Sequence, residues 1–429
     1  MKQINIEWFN ARILCFATLL LLNGCAINHP VAIPKPDKHA HQTCQQTFAF
    51  NRSSEGKVFN LVFEGGGAKG AVFVGALQEM EARGIKGRRF VGTSAGAITA
   101  TLLAAGYTAD EMLSAVNEKT AENKPRFSTF MDIPGAFERD DIIHSATYDI
   151  FNSVDLPFIP SWAEKKMDTE IIKALMKSDR YRVLFSFVER GGLYEGNAFI
   201  QWLREKLNTN CRNLADVTLQ EFYKKTGNDL TVVASDTTAR QKLVLNRLTA
   251  PDCPVIWAVR MSMSIPFVWQ EVRWDEKWGR YRDEEITGHA VVDGGILSNF
   301  PLNLVAGTDD EIISVMGGTR DDQTPNFGLL IDETLPVAGI SSHVNPSEKE
   351  TLLDKARNLK TIQRIMRLVD TMSDANDLFV MGAHQNEICR LPAKGYGTTE
   401  FNMSDERVAL LVTAGREAAK TCLNKLGQQ

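Results

Sequence analysis

The sequence lacks several features that would assign it to a narrow functional class. It has no excess of basic residues, since 48 lysines and arginines stand against 53 aspartates and glutamates and the net charge is -5. That balance gives no reason to expect a nucleic-acid partner, because such proteins carry clustered positive charge. There is no internal repeat, low-complexity tract or convincing cluster of metal ligands, so no metal or other cofactor is expected. The 44% of hydrophobic residues is ordinary for a globular protein.

The N-terminus also lacks an apolar run long enough to cross a bilayer. Residues 13–22 are apolar except for Thr18, and Leu22-Asn23-Gly24-Cys25 closes the run. This length suits the core of a signal peptide. A small residue before Cys25, with leucines ahead of it, resembles the lipobox of bacterial lipoproteins, in which the cysteine carries the lipid. An ordinary secretory signal with an incidental cysteine is the alternative.

The lipobox resemblance implies a signal peptide over 1–24 and a lipidated N-terminus with a tether over 25–57. Ala26 follows the cysteine instead of aspartate, which in that family favours the outer membrane. We therefore expect a lipid-anchored protein of the bacterial cell envelope that faces the periplasm or the exterior. Two or three acyl chains on Cys25 would hold it stably at the membrane.

After cleavage of the signal peptide and lipidation of Cys25, five cysteines remain as thiols, and their number is odd. At most two disulfides can form, and one thiol is left over. The periplasm permits disulfides, but the sequence does not determine their pairing. The remaining residues are Cys44, Cys211, Cys253, Cys389 and Cys422.

The motif around which the chain is organised is Gly92-Thr93-Ser94-Ala95-Gly96. It follows a short apolar run and precedes a segment of small helix-forming residues, 95–105. This is the strand–turn–helix context that a nucleophile elbow requires. Gly92 and Gly96 lack a Cβ, so the strand and the helix can approach closely. Ser94 is therefore the candidate nucleophile, at a helix N-terminus that favours negative charge.

Two further motifs suit the same reaction. A glycine-rich loop follows the predicted strand 58–63 and opens a helix, so its main-chain amides can converge on an anion. Asp293 ends a short predicted strand, 290–292, beside two glycines. Because ligands bind at the carboxyl ends of strands in open α/β sheets, all three motifs are expected at one edge. The predicted oxyanion-hole residues are Gly65, Gly66, Gly67, Lys69 and Gly70.

Two other functions are compatible with parts of these motifs, namely dinucleotide binding and hydrolysis by a Ser–His–Asp triad. Gly65-x-Gly67-x-x-Gly70 also matches a dinucleotide fingerprint, which needs a carboxylate at the end of the second strand, and none is found there. In a Ser–His–Asp hydrolase the catalytic histidine would be His343 or His384, but both lie in polar surroundings that are typical of surface residues. His289 is also disfavoured as the catalytic histidine, because it precedes Asp293 by four residues and would lie about 13 Å from it along a strand.

Taken together, residues 65–70, 92–96 and 293–295 resemble the three signatures of patatin-like phospholipases. Residues 192–196, 232–236, 262–267 and 296–301 agree, so the resemblance runs from about residue 59 to about residue 304. Glu64 stands where many members have aspartate and Lys69 where many have arginine. Neither change removes a main-chain donor.

The resemblance implies a three-layer α/β/α sandwich with a mostly parallel central sheet. It also implies a Ser94–Asp293 dyad without histidine and an acyl-serine intermediate. The expected function is hydrolysis of fatty-acyl esters of phospholipids or lysophospholipids, with membrane lipids as both substrate and anchor surface. An esterase or thioesterase for other acyl groups, and an inactive envelope scaffold, are the alternatives.

The patatin-like catalytic domain is expected to cover residues 58–308, followed by a mainly helical C-terminal extension, 309–429. Amphipathic stripes at 352–369 and 408–422 predict two helices, with Gly415 as a weak point in the second. These helices are expected to pack on the catalytic domain, although a partner protein could bind them instead. The pattern also predicts a helix over 107–124 and a strand over 311–316. Residues 127–186 are expected to provide extra packing, and an insertion that covers the active site or contacts lipid is the alternative.

Overall fold

An eight-stranded sheet forms the centre of the computed structural model. The model describes residues 56–153, 177–318, 323–340, 360, 363–365 and 380–426, all within one compact unit. The parallel strands lie in the order β10-β9-β1-β2-β4 and are β1 (Val58–Phe63), β2 (Lys86–Thr93), β4 (Asp229–Asp236), β9 (Asn326–Pro336) and β10 (Ile388–Lys394).

The remaining strands extend one end of this sheet or lie outside it. Three of them are antiparallel to their neighbours: β5 (Gln241–Leu245) and β8 (Ala290–Asp293) pair with β4, and β7 (Val272–Arg273) pairs with β8. A separate two-stranded parallel sheet consists of β3 (Gly192–Tyr194) and β6 (Phe267–Trp269).

Helices cover both faces of the sheet. In chain order they are α1 (Val72–Ala82), α2 (Ala95–Ala104), α3 (Ala109–Val116), α4 (Arg139–Ile143), α5 (Ala146–Ser153), α6 (Asp179–Glu189), α7 (Asn197–Asn208), α8 (Leu219–Thr226), α9 (Val255–Ser262), α10 (Asn303–Ala306), α11 (Asp310–Met316) and α12 (Asp405–Leu426). Within the described ranges, none of these helices is both long and apolar enough to span a membrane.

The strands are buried on both faces, as near-continuous apolar strands of parallel sheets usually are. In β1, Leu61 and Phe63 belong to the larger hydrophobic core, whereas Val62 belongs to a second core on the opposite face. Helices α1, α2, α9 and α12 contribute to the larger core, and α10 and α11 contribute to the smaller one. The predicted α/β/α arrangement with a mostly parallel central sheet is therefore confirmed.

The helix predicted over 107–124 is shorter than expected. Helix α3 begins at a capping box, in which the Thr108 and Glu111 side chains accept from each other's amides, and it ends at Val116. Beyond it, Glu118 is held by tertiary contacts: its carboxylate accepts from Trp202 Nε1, and its carbonyl accepts from the Arg126 amide. These contacts favour an irregular chain over continued helix.

The strand predicted over 311–316 is wrong, because this stretch is helix α11. The Asp309 side chain accepts from the Ile312 amide and caps the helix, and acidic residues fill its first turn. Ile312, Val315 and Met316 recur at helical spacing and pack in the smaller core. A short apolar run is compatible with either structure, and the cap decided between them.

The region beyond residue 308 is more than a helical extension, because β9 and β10 extend the central sheet. Strand β9 pairs in parallel with β1, and β10 pairs with β9. The predicted helix over 408–422 is present as α12, which packs on α1 and β10. Most of the predicted helix over 352–369 lies outside the described residues.

Helices α1 and α12 cross at a pair of glycines. A Cβ on Gly75 would lie 1.8 Å from the Val412 carbonyl oxygen, and one on Gly415 would lie 2.1 Å from the Val72 carbonyl oxygen. The predicted weak point of α12 is therefore its point of closest approach to α1. A disulfide, Cys389–Cys422, also joins β10 to α12. Cys211 is disulfide-bonded as well, and Cys253 is a buried free thiol.

We expect Gly415→Ala to destabilise the protein although alanine is the better helix former. The helix-propensity gain is about 1 kcal/mol, whereas overpacking against a main-chain carbonyl costs roughly 1–3 kcal/mol or more. Urea denaturation should therefore give a lower free energy of unfolding. Gly382→Ala is the matched control, since a Cβ there meets nothing within 4 Å. Equal stability of Gly415→Ala and wild type would contradict the close crossing.

Candidate active site

Ser94 occupies a strained turn between β2 and α2. Its backbone has φ 53° and ψ -120°, a conformation that is rare for a residue with a side chain. A Cβ on Gly92 would lie 2.2 Å from the Gly96 carbonyl oxygen, and one on Gly96 would lie 2.2 Å from the Phe63 carbonyl oxygen. Both glycines are thus required for the close approach of strand and helix that the motif predicted.

The main chain of Ser94 is held by a residue to which the sequence assigned no role. The Ser94 amide donates to Ser262 Oγ at 2.8 Å, and Ser262 Oγ donates to the Val233 carbonyl oxygen at 2.6 Å. Ser262 lies at the end of α9 and is fully buried. It belongs to the quoted segment 262–267, but only the tertiary contact identifies its function.

Strands β2 and β8 bring Ser94 and Asp293 together by meeting end to end along β4. Thr93 is in register with Val233, and Asp293 is in register with the next residue, Ala234. Strand β5 occupies the other edge of this part of β4, so β2 and β8 share one edge. They run in opposite directions because β2 is parallel and β8 antiparallel to β4. A Cβ on Gly294 would lie 3.0 Å from Thr93 Cγ2, so the two turns are in contact.

The carboxyl group of Asp293 is buried, with only 5% of the residue exposed. Its Oδ1 accepts from the Gly295 amide at 2.7 Å, and its Oδ2 has no partner with ordinary hydrogen-bond geometry. Burial raises the pKa of Asp293 to about 7, and hydrogen bonds from the Ser94 side chain and the Gly295 amide offset part of that rise. Contacts between catalytic groups are often long before substrate binds.

The strand that carries Asp293 is supported by a buried arginine. The Asp293 amide donates to the Ser264 carbonyl oxygen at 3.0 Å, and Arg260 donates to Ser264 Oγ. Arg260 also donates to the carbonyl oxygens of Glu195, at 2.7 Å, and Gln270, at 3.1 Å. Burial lowers the pKa of Arg260 to about 10, so the guanidinium remains charged near neutral pH.

The predicted oxyanion-hole residues do not all have a free amide. The Gly65 amide donates to the Asn299 carbonyl oxygen at 2.9 Å, and the Lys69 amide donates to the Gly66 carbonyl oxygen at 3.2 Å. Gly70 lies within the short 3-10 helix Gly67–Ala71. Among the described residues, the hydrogen bonds recorded for this loop leave the amides of Gly66 and Gly67 as available donors.

The Lys69 side chain is also engaged elsewhere. Its ammonium group pairs with Glu333 on β9, and the residue is only 4% exposed. Lys69 therefore holds the glycine loop against β9. An anion bound at Ser94 would depend on main-chain amides, which agrees with the expectation that exchanging arginine for lysine here removes no donor.

Residues of β9 and of the loop after β10, together with Asn299, hold the glycine loop in place. Glu64 accepts from the Ile331 amide at 2.5 Å and from Asn299 Nδ2 at 3.2 Å. Asn299 Nδ2 also donates to the Gly65 carbonyl oxygen at 3.2 Å. The Ala68 amide donates to the Thr398 carbonyl oxygen at 2.8 Å. No pattern in the sequence indicated that residues of β9 and of the loop after β10 contact this site.

Ser94 lines a cavity of about 740 Å³, counted with its open mouth. We call it the Ser94 cavity. No charged side chain of the described residues lines it, and the Thr99 hydroxyl and Trp269 Nε1 in its wall both donate to main-chain carbonyls. Because α2 contributes residues from Ala95 to Leu102, the cavity follows this helix for roughly 10 Å. It suits a long apolar group.

The described histidines have partners other than Ser94. His289 Nδ1 lies 2.8 Å from Asp236 Oδ2, and His384 Nδ1 lies 2.7 Å from Glu387 Oε1. His343 lies outside the described residues. In the part of the chain that the structure describes, no group of three or more metal-ligating side chains is found. Asp293, whose carboxyl group interacts with the Ser94 side chain, is the candidate base.

We expect Asp293→Asn to stabilise the protein at neutral and alkaline pH. A folded-state pKa of about 7, raised from 3.8, means that ionisation of this carboxyl group opposes folding. The stability that the protonated carboxyl contributes is complete below about pH 4 and is lost as the pH rises through about 7.

Asparagine stays neutral and keeps an oxygen for the Gly295 amide. Urea denaturation near pH 8 should show a gain of up to about 4 kcal/mol, and near pH 4 little difference. A variant whose stability differs from that of wild type by the same amount at both pH values would contradict the raised pKa.

Comparison with known proteins agrees with this geometry. A family model described as patatin-like phospholipase matches residues 61–306. The uncharacterized protein YqhO of Bacillus subtilis is 26% identical over 371 residues, which cover 85% of this chain and 97% of YqhO. The probable lipid hydrolase 463L of invertebrate iridescent virus 6 is 21% identical over 244 residues, which cover 57% of this chain and 62% of that protein.

Among solved structures, VipD from Legionella pneumophila aligns with a TM-score of 0.40 and 19% sequence identity, over 86% of this chain and 67% of VipD. The family assignment rests on the sequence model, which spans more than half of the chain and includes Ser94, Asp293 and the glycine loop. The chain therefore belongs to the patatin-like phospholipase family.

Proposed function

We propose that this protein is a serine lipid acyl hydrolase that cleaves fatty-acyl esters of phospholipids or lysophospholipids. The observation that carries the proposal is a serine in a strained turn that lies next to a buried carboxylate and lines a mostly apolar cavity. Membership of the patatin-like phospholipase family and similarity to a protein named a probable lipid hydrolase support hydrolysis of lipid esters.

In the first step, Ser94 Oγ attacks the ester carbonyl carbon while Asp293 accepts the hydroxyl proton. A pKa of about 7 suits this role, because the carboxylate is partly ionised near neutral pH and still basic enough to take a proton. The amides of Gly66 and Gly67 would stabilise the oxyanion that develops. Losing one such donor typically raises the barrier by about 3–4 kcal/mol.

In the second step, Asp293 returns the proton to the departing alcohol oxygen, and an acyl ester on Ser94 remains. Water then attacks this ester while Asp293 accepts a proton from the water. Asp293 passes this proton to Ser94 Oγ as the acyl–oxygen bond breaks, so the fatty acid is released and Ser94 is restored. The acyl chain would lie in the Ser94 cavity, whose wall is mostly apolar. A polar headgroup would stay at the mouth.

We expect Ser94→Ala to abolish release of fatty acid from phospholipid vesicles, because it removes the hydroxyl group that hydrogen-bonds Asp293 and is the proposed nucleophile. A loss of at least about a thousandfold is anticipated for removing a nucleophile that acts together with its base. Ser114→Ala is the matched control, since this serine is exposed on α3 and donates only to the Asp110 carbonyl oxygen. The measurement is mass spectrometry of the released acids.

The same assay separates the alternatives. Faster turnover of acyl-thioesters or short esters than of phospholipids by wild type would favour an esterase or thioesterase. A wild-type protein that turns over none of these substrates, and that a fluorophosphonate does not label at Ser94, would be an inactive scaffold. Unchanged fatty-acid release by Ser94→Ala would rule out the proposed nucleophile.

We further propose that Cys25 is lipidated and anchors the enzyme to the cell envelope, where its substrates lie. The apolar run ending at Cys25 supports this, and the outer membrane is the proposed location. In bacteria supplied with labelled palmitate, Cys25→Ser should lose the label and leave the membrane fraction. Cys15→Ser, within the predicted signal peptide, should retain both. Label on Cys25→Ser would contradict the anchor.

A further inference from the structure

A second, smaller cavity adjoins the Ser94 cavity. It has a volume of about 360 Å³, counted with its open mouth, and its lining includes polar residues, among them the ion pair of Lys119 with Asp405. The two cavities share part of their wall, because the same side chains line both. These shared residues are Ala68, Ala71, Val116, Phe127 and Phe401.

Two aromatic rings provide most of the bulk of this shared wall, and they are held differently. Phe127 packs against two rings, with centroid distances of 5.2 Å to Phe130 and 5.5 Å to Trp202. Among the residues that the structure describes, Phe401 contacts one ring, edge-on to Trp269 at 5.5 Å. Phe401 is therefore the large side chain whose removal would open the wall while leaving the aromatic cluster around Trp202 intact.

Phe401 comes from a part of the chain that the family model does not cover. It lies in the loop between β10 and α12, beyond residue 306. The loop is anchored to the glycine loop through the hydrogen bond from the Ala68 amide to the Thr398 carbonyl oxygen, 2.8 Å long. The Cys389–Cys422 disulfide joins the two elements that flank this loop. These contacts hold the loop, and with it the Phe401 ring, next to the glycine loop.

We propose that Phe401 determines which acyl groups the site accepts, because its ring separates the Ser94 cavity from the second cavity. With the ring in place, a bound chain is confined to the Ser94 cavity. Without it, a longer chain gains apolar contact with the second cavity, whose lining includes Met403 and Val408. This inference rests on the proposed function, since it assumes that an acyl chain occupies the Ser94 cavity.

The test compares wild type, Phe401→Ala and Phe401→Leu on p-nitrophenyl esters of butanoic, octanoic and hexadecanoic acid. The ratio of kcat/KM for the hexadecanoyl ester to that for the octanoyl ester should rise roughly tenfold or more in Phe401→Ala. The rise should be smaller in Phe401→Leu, and kcat/KM for the butanoyl ester should stay within about threefold. Truncating a buried ring can prevent folding, in which case Phe401→Leu decides.

Met403→Ala is the matched control, because Met403 lines the second cavity and not the Ser94 cavity. Alone it should leave the chain-length ratio unchanged. Combined with Phe401→Ala, it should raise the ratio further, since the enlarged second cavity is then connected. An equal rise in Met403→Ala alone would show that Phe401 does not separate the cavities.

A measurement of fatty-acid binding tests the role of Phe401 without relying on turnover. In the Ser94→Ala background, calorimetry should show that Phe401→Ala strengthens hexadecanoate binding relative to octanoate. If wild type hydrolyses no ester, the proposed function fails, and this binding ratio alone decides the role of Phe401. If wild type is active but neither the kinetic nor the binding ratio changes in folded Phe401 variants, the inference is overturned and the proposed function stands.

Discussion

The site depends on two strands that meet end to end along a third. Strand β2 delivers Ser94 from one direction and β8 delivers Asp293 from the other, and consecutive residues of β4, Val233 and Ala234, set the register of both. A shift of one residue on either side would turn a side chain to the opposite face of the sheet. The main-chain ladder of β4 therefore determines the separation of Ser94 and Asp293, and the surrounding packing maintains it.

Holding a carboxyl group at this point carries an energetic penalty. Asp293 is buried, and one of its oxygens has no partner with ordinary geometry, so its pKa rises to about 7. The neighbouring main chain is correspondingly well supported, by Arg260 through Ser264 on one side and by the Gly295 amide on the other. Buried polar groups that tune a pKa in this way are common at reactive sites, where function outweighs stability.

The region beyond the family match contributes to the same site. Strand β9 supplies the Ile331 amide to Glu64 and the Glu333 carboxylate to Lys69, so it holds the glycine loop from one side. The loop before α12 supplies the Thr398 carbonyl and the Phe401 ring. Helix α12 in turn crosses α1, which follows the glycine loop, at Gly75 and Gly415. The C-terminal part of the chain is thus structural support for catalysis and a wall of the proposed substrate site.

Local sequence was sufficient for the elements whose signals are local. The strand before the glycine loop, the Gly-x-Ser-x-Gly turn and the glycines that permit its close packing could all be predicted, because steric demands on a turn act over a few residues. The layered α/β class followed from resemblance to a family. Strand β9, strand β10 and helix α11 were missed or misassigned, since short apolar runs fit more than one structure until their neighbours are known.

Pairing across long stretches of chain was decided by the tertiary structure alone. The antiparallel direction of β8, the engagement of the Gly65 and Lys69 amides, and the arrival of Phe401 at the cavity all depend on residues distant in sequence. Such contacts leave no periodicity or motif in one sequence, because each partner is compatible with many alternatives. Only the folded register and the packed core select among them.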